Sequence, residues 1–482
     1  MANWYDGLEP KKVLEYFEQL SRIPRGSGNM EAVSDAVTAW LRGMGIRAER
    51  DAFGNVKAFK PASPGMEDVA PVLLTAHLDM VCAKVEGSDH DFTRDPITVL
   101  LDSDGDTIRA DGTTLGADDG MAAAMILAIF ADDSLVHPPL EALFTADEET
   151  DMSGALNFDY SDFRASLIIC LDGDPIGVAG AGELDVRSRL PFRREAVAEG
   201  SVCRTVSVSG LQGGHSGKDS TLERANAAML LNRCLMELSR EGQVQLVDLR
   251  SGVGSSTAYA VSAKAVIAVP EGDCGRIAEQ LAALEATLRQ ELKLRDEGVC
   301  LSFEGAEQSD TAIDGETFEK LMTFLTSLPD GVCSHDFANN GMMESSVNTG
   351  VIFPEGDSLV LLTTIRSTVK SRKYYLYDRI ARLCRYFGAE LSVDNDLPQW
   401  DRKVTDEVLS LCRRIYPDCE LVIQEGTDEC GIFSERMPAA QVITLQCPYH
   451  NAHSTNEWIS AKLIGVYYER LLSVLAGLKG VI

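Results

Sequence analysis

The chain has 482 residues, of which 45% are hydrophobic and 24% charged, an ordinary composition for a globular protein. Its formal net charge of -30 argues against binding to nucleic acid or to an anionic membrane surface, because nothing basic offsets the self-repulsion. The length exceeds what one ordinary core fills, so we expect at least two domains.

The distribution of cysteines and the amino-terminal sequence indicate the cellular location of the protein. The amino-terminal stretch lacks the basic and then apolar pattern of an export signal, and no run of about 18 apolar residues predicts a membrane-spanning helix. The 12 cysteines are scattered singly, which is typical of reduced, mostly buried thiols. We therefore expect a cytoplasmic protein.

The first third of the chain alternates helical and strand patterns. In chain order, the spacing of apolar residues predicts helices over 10–23 and 30–45, a polar hairpin around 53–55, a buried strand over 71–79, a small-residue helix over 120–133, and buried strands over 140–146 and 166–174. Polar residues collect where these strands end. This pattern predicts an α/β sheet with a site along one edge.

The pattern changes near Leu184, where strands of alternating polarity begin to interleave with long helices. We predict a separate α+β domain inserted over residues 185–391. The tail, residues 392–482, returns to strand–helix alternation, and on its own it would form only a marginal core. The segments 1–184 and 392–482 are therefore expected to form one domain around the insert.

His77 and Asp79 come at the end of the first buried strand. Residues i and i+2 of an extended segment share a face. The imidazole of His77 can therefore bind a metal while the carboxylate of Asp79 orients it from behind. A hydrogen-bonded pair in the core explains this motif equally well.

Acidic residues follow the other strands of the predicted sheet. Glu148 and Glu149 end the second strand, Asp172 ends the third, and Asp118 and Asp119 precede the small-residue helix. Either aspartate before the helix is also a good N-cap, and any single acid fits a solvated loop. Three strand ends converging on one edge, with Asp118 nearby, predict a mixed nitrogen and oxygen ligand set for divalent metals.

Two further histidines have suggestive surroundings. His453 lies in a polar loop just before the last helix, where it can supply a late ligand. His215 lies in the glycine-rich segment GGHSG of the predicted insert, where it can reach a substrate rather than a metal. His450, three residues before His453, is better explained as structural.

These residues, in this order, resemble the zinc metallopeptidases of peptidase family M20. The similarity favours the dipeptidase branch, which contains the aminoacyl-histidine (Xaa-His) and cytosolic non-specific dipeptidases. The matching stretches run nearly end to end: IPRGSGNMEAV, LTAHLDMVC, HDFTRDPI, LGADDGMAAA, FTADEETDMSGA, LDGD, GGHSG, ESSVNTG, TTIRS, DECGIF and HNAHSTNEW. The implied fold is α/β, a zinc-peptidase-like catalytic domain (mixed sheet with flanking helices) with an inserted α+β lid and dimerisation domain.

The resemblance also implies a pair of divalent metal ions, normally zinc, with manganese or cobalt as alternatives, bridged by one aspartate and one water. His77 and Asp172 would hold one ion, Glu149 and His453 the other, and Asp118 would bridge them. Members of the family usually have a cis peptide after this aspartate.

By the same resemblance, the catalytic residues would be Asp79, which orients the histidine ligand, and Glu148. Glu148 would be the general base that later delivers the proton to the leaving amine. The substrate-binding residues would be His215 for the developing oxyanion, Arg366 for the substrate carboxylate, and Glu429, whose role is left open. Taken alone, Arg366 is better explained as part of a surface ion pair.

Two departures from the family pattern concern substrate recognition. The asparagine of a GGxxxNAIP-like segment falls at or near Thr257, which Tyr259 follows, and the histidine of a HAGLECG-like segment falls on Gln424 or Glu425. The implied function is hydrolysis of dipeptides, of the Xaa-His type or broadly, by a homodimer. The alternatives are a metal-dependent N-acyl amino acid deacylase, a tripeptidase, and a non-catalytic binding protein on the same scaffold.

Overall fold

The computed structural model describes residues 3–252, 254–337, 342–424 and 426–482. The chain divides into two compact units. Unit 1 comprises Met1–Gly180, Trp400–Gln424 and Asp428–Ile482, and unit 2 comprises Ala181–Gln399 and Glu425–Thr427. The sequence predicts the changes of domain at 184/185 and 391/392, and the lid and dimerisation roles of the insert stay predictions.

The helices and strands have the following bounds. The helices are α1 Lys11–Ser21, α2 Glu31–Gly43, α3 Ala117–Phe130, α4 Ser153–Asn157, α5 Ala227–Glu241, α6 Cys274–Glu291, α7 Gly315–Ser327, α8 Lys370–Phe387, α9 Asp406–Ile415, α10 Glu429–Arg436 and α11 Ala461–Gly477. The strands are β1 Arg47–Arg50, β2 Val56–Lys60, β3 Val72–His77, β4 Val99–Leu101, β5 Thr107–Ala110, β6 Leu140–Thr145, β7 Leu167–Cys170, β8 Gly177–Gly180, β9 Gly182–Pro191, β10 Arg194–Ala196, β11 Ser201–Ser209, β12 Gln245–Ser251, β13 Ala263–Pro270, β14 Cys300–Gly305, β15 Thr311–Ile313, β16 Gly331–Asp336, β17 Met342–Glu355, β18 Ser358–Ser367, β19 Glu390–Leu397, β20 Val422–Gln424, β21 Gln441–Thr444, β22 Tyr449–His450 and β23 Trp458–Ser460.

The main sheet of unit 1 has the strand order β1-β2-β6-β3-β7-β21-β8-β20. The neighbours β6, β3, β7 and β21 run parallel, so their carboxyl ends meet at one edge. Strands β3, β6 and β7 are buried at every position, which explains why they read as unbroken apolar runs. The predicted α/β class and the predicted polar edge are both confirmed.

Helix α3 is the central helix of unit 1. All of its residues are buried, and it packs against α1 and β3. Its small side chains allow this close packing, and the helix overlaps the small-residue helix predicted over 120–133. Among the described residues, no helix combines the length and the apolar character that crossing a membrane requires.

Unit 2 is built on an antiparallel sheet. Its strand order is β14-β11-β13-β12-β17-β18-β9-β19, with β16 beside β17. Along β9, buried positions alternate with partly exposed ones, as expected for a sheet that buries one face more deeply. Apolar residues of α5, α6, α7 and α8 share the core cluster of this sheet, so the predicted α+β insert is present.

Candidate metal centre and active site

The predicted metal ligands lie at the carboxyl edge of the parallel strands of unit 1. His77 is the last residue of β3, Asp172 follows β7, and Glu149 follows β6, while Asp118 lies at the start of α3. Together with His453, these residues are called the candidate metal centre below. Among the described residues, three groups of side chains bring possible ligand atoms within 4.8 Å of one another: His77 with Asp118 and Asp172, His77 with Glu148 and Glu149, and Asp118 with Glu149 and His453.

Asp118 stands between the two histidines of the candidate metal centre. Its Oδ1 lies 3.2 Å from Nε2 of His77, and its Oδ2 lies 3.2 Å from Nε2 of His453. The same nitrogen of His453 lies 3.0 Å from Oε2 of Glu149. A carboxylate that turns one oxygen toward each histidine has the geometry that a bridging ligand needs.

The start of α3 departs from the capping interpretation of its two aspartates. A cis peptide joins Asp118 and Asp119, as the resemblance implied. The N-cap of α3 is Gly116, and no side chain caps it locally. Glu457 instead accepts hydrogen bonds from the backbone N–H groups of Leu115 to Asp118. Gly116 is thus the N-cap residue, and the structure does not support the alternative that an aspartate caps this helix.

Asp79 connects the end of β3 with the turn after β6. Its carboxylate accepts the hydroxyl of Ser27 at 2.7 Å and the backbone N–H groups of Glu148 and Glu149 at 3.1 and 3.2 Å. Nδ1 of His77 lies 3.1 Å from the backbone oxygen of Asp79 and 3.5 Å from its carboxylate. Asp79 thus meets the histidine through its backbone more closely than through its side chain, while the side chain fixes the turn that carries the glutamates.

Burial and the clustered charges perturb the pKa values of the cluster. Burial raises the pKa of Glu148 well above its usual value. Burial also raises the pKa of Asp172, to about 6, and the charge of Asp118 adds to this.

The two histidines of the candidate metal centre also have raised pKa values. Hydrogen bonds to Asp118 and Glu149 raise the pKa of His453 to about 10. Burial disfavours the charged form of His77, but hydrogen bonds to Asp118 and Asp79 raise its pKa well above the ordinary value. The carboxylates thus favour the protonated, positively charged forms of His77 and His453.

These donor atoms fit divalent metal ions. Imidazole nitrogens together with carboxylate oxygens are the ligands that catalytic zinc sites use. Buried carboxylates are costly unless paired or bound to a cation. In the part of the chain that the structure describes, Oε1 of Glu149 is buried without a hydrogen-bond partner, as expected of an oxygen that coordinates a cation.

Glu429 also lies in unit 1, at the first residue of α10. Its Oε2 accepts the hydroxyl of Thr145, the last residue of β6, at 2.7 Å. Burial raises the pKa of Glu429 to about 8. The carboxylate is therefore close to the strand end that precedes Glu148 and Glu149, and substrate binding by Glu429 stays a prediction.

The other predicted substrate-binding residues lie in unit 2. Arg366 of β18 is 2% exposed and forms an ion pair with Glu183, its cross-strand neighbour on β9. Its Nη1 donates to the hydroxyl of Thr427 at 3.1 Å, and its Nη2 lies 3.5 Å from Nε2 of His215. The interpretation of Arg366 as part of a surface ion pair is wrong, because the pair is buried.

The ring of His215 has a defined tautomer. Its Nδ1 accepts the backbone N–H groups of Gly217 at 3.1 Å and Lys218 at 3.0 Å, so the proton is on Nε2. Burial lowers the pKa of His215 to about 4, and the charge of Arg366 acts in the same direction. The imidazole is thus neutral at pH 7 and presents an N–H donor, which suits stabilisation of developing negative charge.

The segments that depart from the family pattern are placed as follows. The backbone oxygen of Thr257 accepts the N–H of Ser216 at 2.8 Å, and the N–H of Tyr259 donates to Gly214 at 3.0 Å. This loop therefore supports the segment that carries His215. Gln424 is the last residue of β20, whereas Glu425 lies outside the described residues.

Sequence reasoning missed the residues that contact the predicted ligands or the segments beside them. Arg25 and Ser27 lie in IPRGSGN, and Tyr449 and Glu457 lie in or beside HNAHSTNEW. Tyr449 donates its hydroxyl to Oδ1 of Asp172 at 3.3 Å. All four residues fall in or beside stretches that carried the family resemblance, which was the available signal. Their partners are distant in sequence, so no local pattern reveals their role.

Known proteins are similar to this chain in sequence and in fold. The profile of peptidase family M20/M25/M40 matches residues 73–476. The cytosol non-specific dipeptidase of Escherichia coli (strain K12) is 31% identical over 478 residues, covering 97% of this chain and 98% of that protein. The aminoacylhistidine dipeptidase of Vibrio alginolyticus superposes with a TM-score of 0.87 at 28% identity, covering 99% of this chain and 98% of the other. Aminopeptidase PepT of Bacillus cereus shares the fold, with a TM-score of 0.57 at 14% identity and coverage of 98% of this chain and 99% of the other.

Proposed function

Because the chain belongs to peptidase family M20/M25/M40 and is thus a peptide-bond hydrolase, we propose that it is a metal-dependent dipeptidase with a dinuclear centre. The observation that carries this proposal is the convergence of imidazole nitrogens and carboxylate oxygens on both sides of Asp118. The relatives named as a non-specific dipeptidase and an aminoacylhistidine dipeptidase support dipeptides as the substrates, of the Xaa-His type or more broadly.

The candidate metal centre would hold two divalent cations, most simply zinc, with manganese or cobalt as alternatives. His77 and Asp172 would bind one cation, Glu149 and His453 the other, and Asp118 both. When bound, such cations polarise a peptide carbonyl and make a water molecule more acidic.

Glu148 is the residue we assign to proton transfer. Its Oε2 lies 4.0 Å from Nε2 of His77, and its backbone N–H is held by Asp79. Burial raises the pKa of Glu148, which brings it closer to the range in which a carboxylate both accepts and donates a proton near neutral pH. Glu148 would take a proton from the attacking water and deliver it to the nitrogen of the leaving amine.

His215 and Arg366 would bind the reacting substrate. The Nε2–H of His215 would donate to the oxygen of the scissile carbonyl as negative charge develops there. The planar guanidinium of Arg366 suits a bidentate contact with the carboxylate of a dipeptide. Glu429 is assigned to substrate binding as well, and a Glu429→Gln variant with unchanged KM for dipeptides would remove it from this group.

A hydrolysis panel tests the proposed function. The purified, zinc-loaded protein is offered dipeptides that include Xaa-His, together with tripeptides and N-acyl amino acids, and a Glu148→Gln preparation controls for contaminating peptidases. We expect dipeptides to have the highest kcat/KM. Preference for N-acyl amino acids would indicate a deacylase, and preference for tripeptides a tripeptidase. Bound zinc without turnover of any amide would support the non-catalytic binding protein.

The assembly and the location of the protein are also proposals. The name of the Escherichia coli relative supports a cytoplasmic location, and the family resemblance implies a homodimer. Light scattering on the purified chain tests the second point, since a mass near the 52.3 kDa of one chain would exclude the dimer.

A further inference from the structure

We propose that Glu457 is a positioning residue for Asp118, and that it sets the affinity of the candidate metal centre for its cations. The inference rests on the proposed role of Asp118 as a metal ligand. Glu457 itself meets the backbone that carries Asp118, not its carboxylate, so it would act through that backbone.

The carboxylate of Glu457 spans the turn before α3. Its Oε2 accepts the backbone N–H groups of Leu115 at 2.8 Å and Gly116 at 2.9 Å. Its Oε1 accepts those of Ala117 at 2.8 Å and Asp118 at 3.3 Å. Glu457 is 2% exposed, so these charge-assisted hydrogen bonds compete little with water.

The turn needs such a partner because it supplies none of its own. Gly116 has a φ of 68°, and Asp118 has a ψ of 108°, so the backbone is not helical where α3 begins. The first N–H groups of a helix have no partner within the helix. At this end of α3 a carboxylate more than 300 residues away in sequence replaces the usual local cap.

Arg25 complements Glu457 from the carbonyl side of the same turn. Its Nη2 donates to the backbone oxygen of Gly116, and its Nη1 donates to those of Leu78 at 2.8 Å and Asp79 at 3.0 Å. A Cβ atom on Gly116 would lie 2.5 Å from Nη2 of Arg25. The turn that carries Asp118 is thus tied through Arg25 to the segment just after His77.

Glu457 also belongs to the segment that supplies His453. The two residues lie between β22 and β23, and the N–H of Glu457 donates to the backbone oxygen of Ser454 at 3.1 Å. His453 has a φ of 64°, a backbone conformation that residues other than glycine rarely adopt, so its surroundings must hold it there. One short segment therefore brings an imidazole to the carboxylate of Asp118 and a carboxylate to its backbone.

The test replaces Glu457 with glutamine and measures zinc binding, not turnover. An amide keeps the shape of the side chain but has one acceptor oxygen, so N–H groups of the turn lose their partner. Zinc affinity of the metal-stripped protein is measured by competition with a chromophoric chelator. We expect Glu457→Gln to bind zinc about tenfold more weakly or worse, the range found when groups that support metal ligands are removed.

Glu141→Gln is the matched control. Glu141 is 5% exposed, lies near the start of β6, and accepts the backbone N–H groups of Arg164 at 2.8 Å and Ala165 at 3.1 Å. It is therefore a buried carboxylate with the same kind of partner but at the opposite end of the strand from the metal ligands. We expect Glu141→Gln to lower the melting temperature while leaving zinc affinity within twofold of the unaltered protein.

The outcomes separate this inference from the proposed function. Zinc affinity of Glu457→Gln within twofold of the unaltered protein would overturn the inference, and so would an equal loss in Glu141→Gln. Failure of the unaltered protein to bind zinc would instead overturn the proposed function. If Glu457→Gln does not fold, Arg25→Lys replaces it, because lysine lacks the planar fork that joins Gly116 to Asp79. Unchanged zinc affinity in Arg25→Lys would likewise contradict the positioning role.

Discussion

The polar clusters of the two units differ in their balance of charge. In unit 1 the carboxylates of the candidate metal centre outnumber its histidines, and positive charge is drawn onto those histidines. In unit 2, Arg366 is already paired with Glu183, and His215 is neutral at pH 7. An unbalanced anionic cluster suits cations, whereas a charge-balanced cluster that presents an imidazole N–H suits a polar substrate. This contrast supports the proposals that unit 1 carries the metal chemistry and that His215 and Arg366 of unit 2 contribute to substrate recognition.

The largest expected effect comes from Glu148, which we assign to proton transfer rather than to metal binding. Glu148→Gln removes the proton acceptor and should lower kcat for dipeptides by about 10²–10⁴-fold. Zinc content, measured by atomic emission, should stay the same as in the unaltered protein. Loss of zinc along with activity would place Glu148 among the metal ligands and contradict its assignment to proton transfer.

A substitution of Asp79 tests how strongly zinc affinity depends on the hydrogen bonds that hold the turn with Glu148 and Glu149. Asp79→Asn keeps the shape of the side chain but weakens the contacts with the N–H groups of Glu148 and Glu149. Zinc affinity should fall by about 10–100-fold, and saturating zinc should restore most of the turnover. Turnover that stays low at saturating zinc would assign Asp79 a direct part in the chemistry instead.

Arg366 tests the assignment of unit 2. Arg366→Lys keeps the charge beside Glu183 but removes the planar fork, and KM for dipeptides should rise by about tenfold or more. The same dipeptides with an amidated carboxyl terminus should show no such rise, because they lack the carboxylate. Arg372→Lys, an exposed arginine paired with Glu344, is the control. Equal KM values for Arg366→Lys and the unaltered protein would show the carboxylate contact to be wrong.

The smallest effect is a pH dependence of stability that belongs to unit 2. Burial holds the pKa of His215 at about 4, below its ordinary 6.5, so the native state binds fewer protons than the unfolded chain between these values. The contribution of His215 is therefore present above pH 6.5 and is lost as the pH falls toward 4. In urea unfolding, His215→Gln should lose less stability than the unaltered protein between pH 7 and pH 5. Parallel losses in the two proteins would contradict a buried, neutral His215.

The two clusters also differ in how far the sequence predicts them. Glu149 and Asp172 of unit 1 are visible because each follows an unbroken apolar run, and parallel strands bring the ends of those runs to one edge. The pairing of Arg366 with Glu183 depends on the register of β18 against β9, which no local pattern encodes. The same limit applies to Glu457, whose partners lie more than 300 residues earlier in the chain. Local chemistry was predictable, and contacts made by folding were not.

Anomalous diffraction from zinc-loaded crystals tests the central claim most directly. We predict two zinc peaks per chain at the carboxyl edge of β3, β6 and β7, with ligand distances of about 2.0–2.2 Å. One peak should contact His77 and Asp172, the other Glu149 and His453, and Asp118 should contact both. A single peak, or zinc bound elsewhere on the chain, would contradict the dinuclear centre.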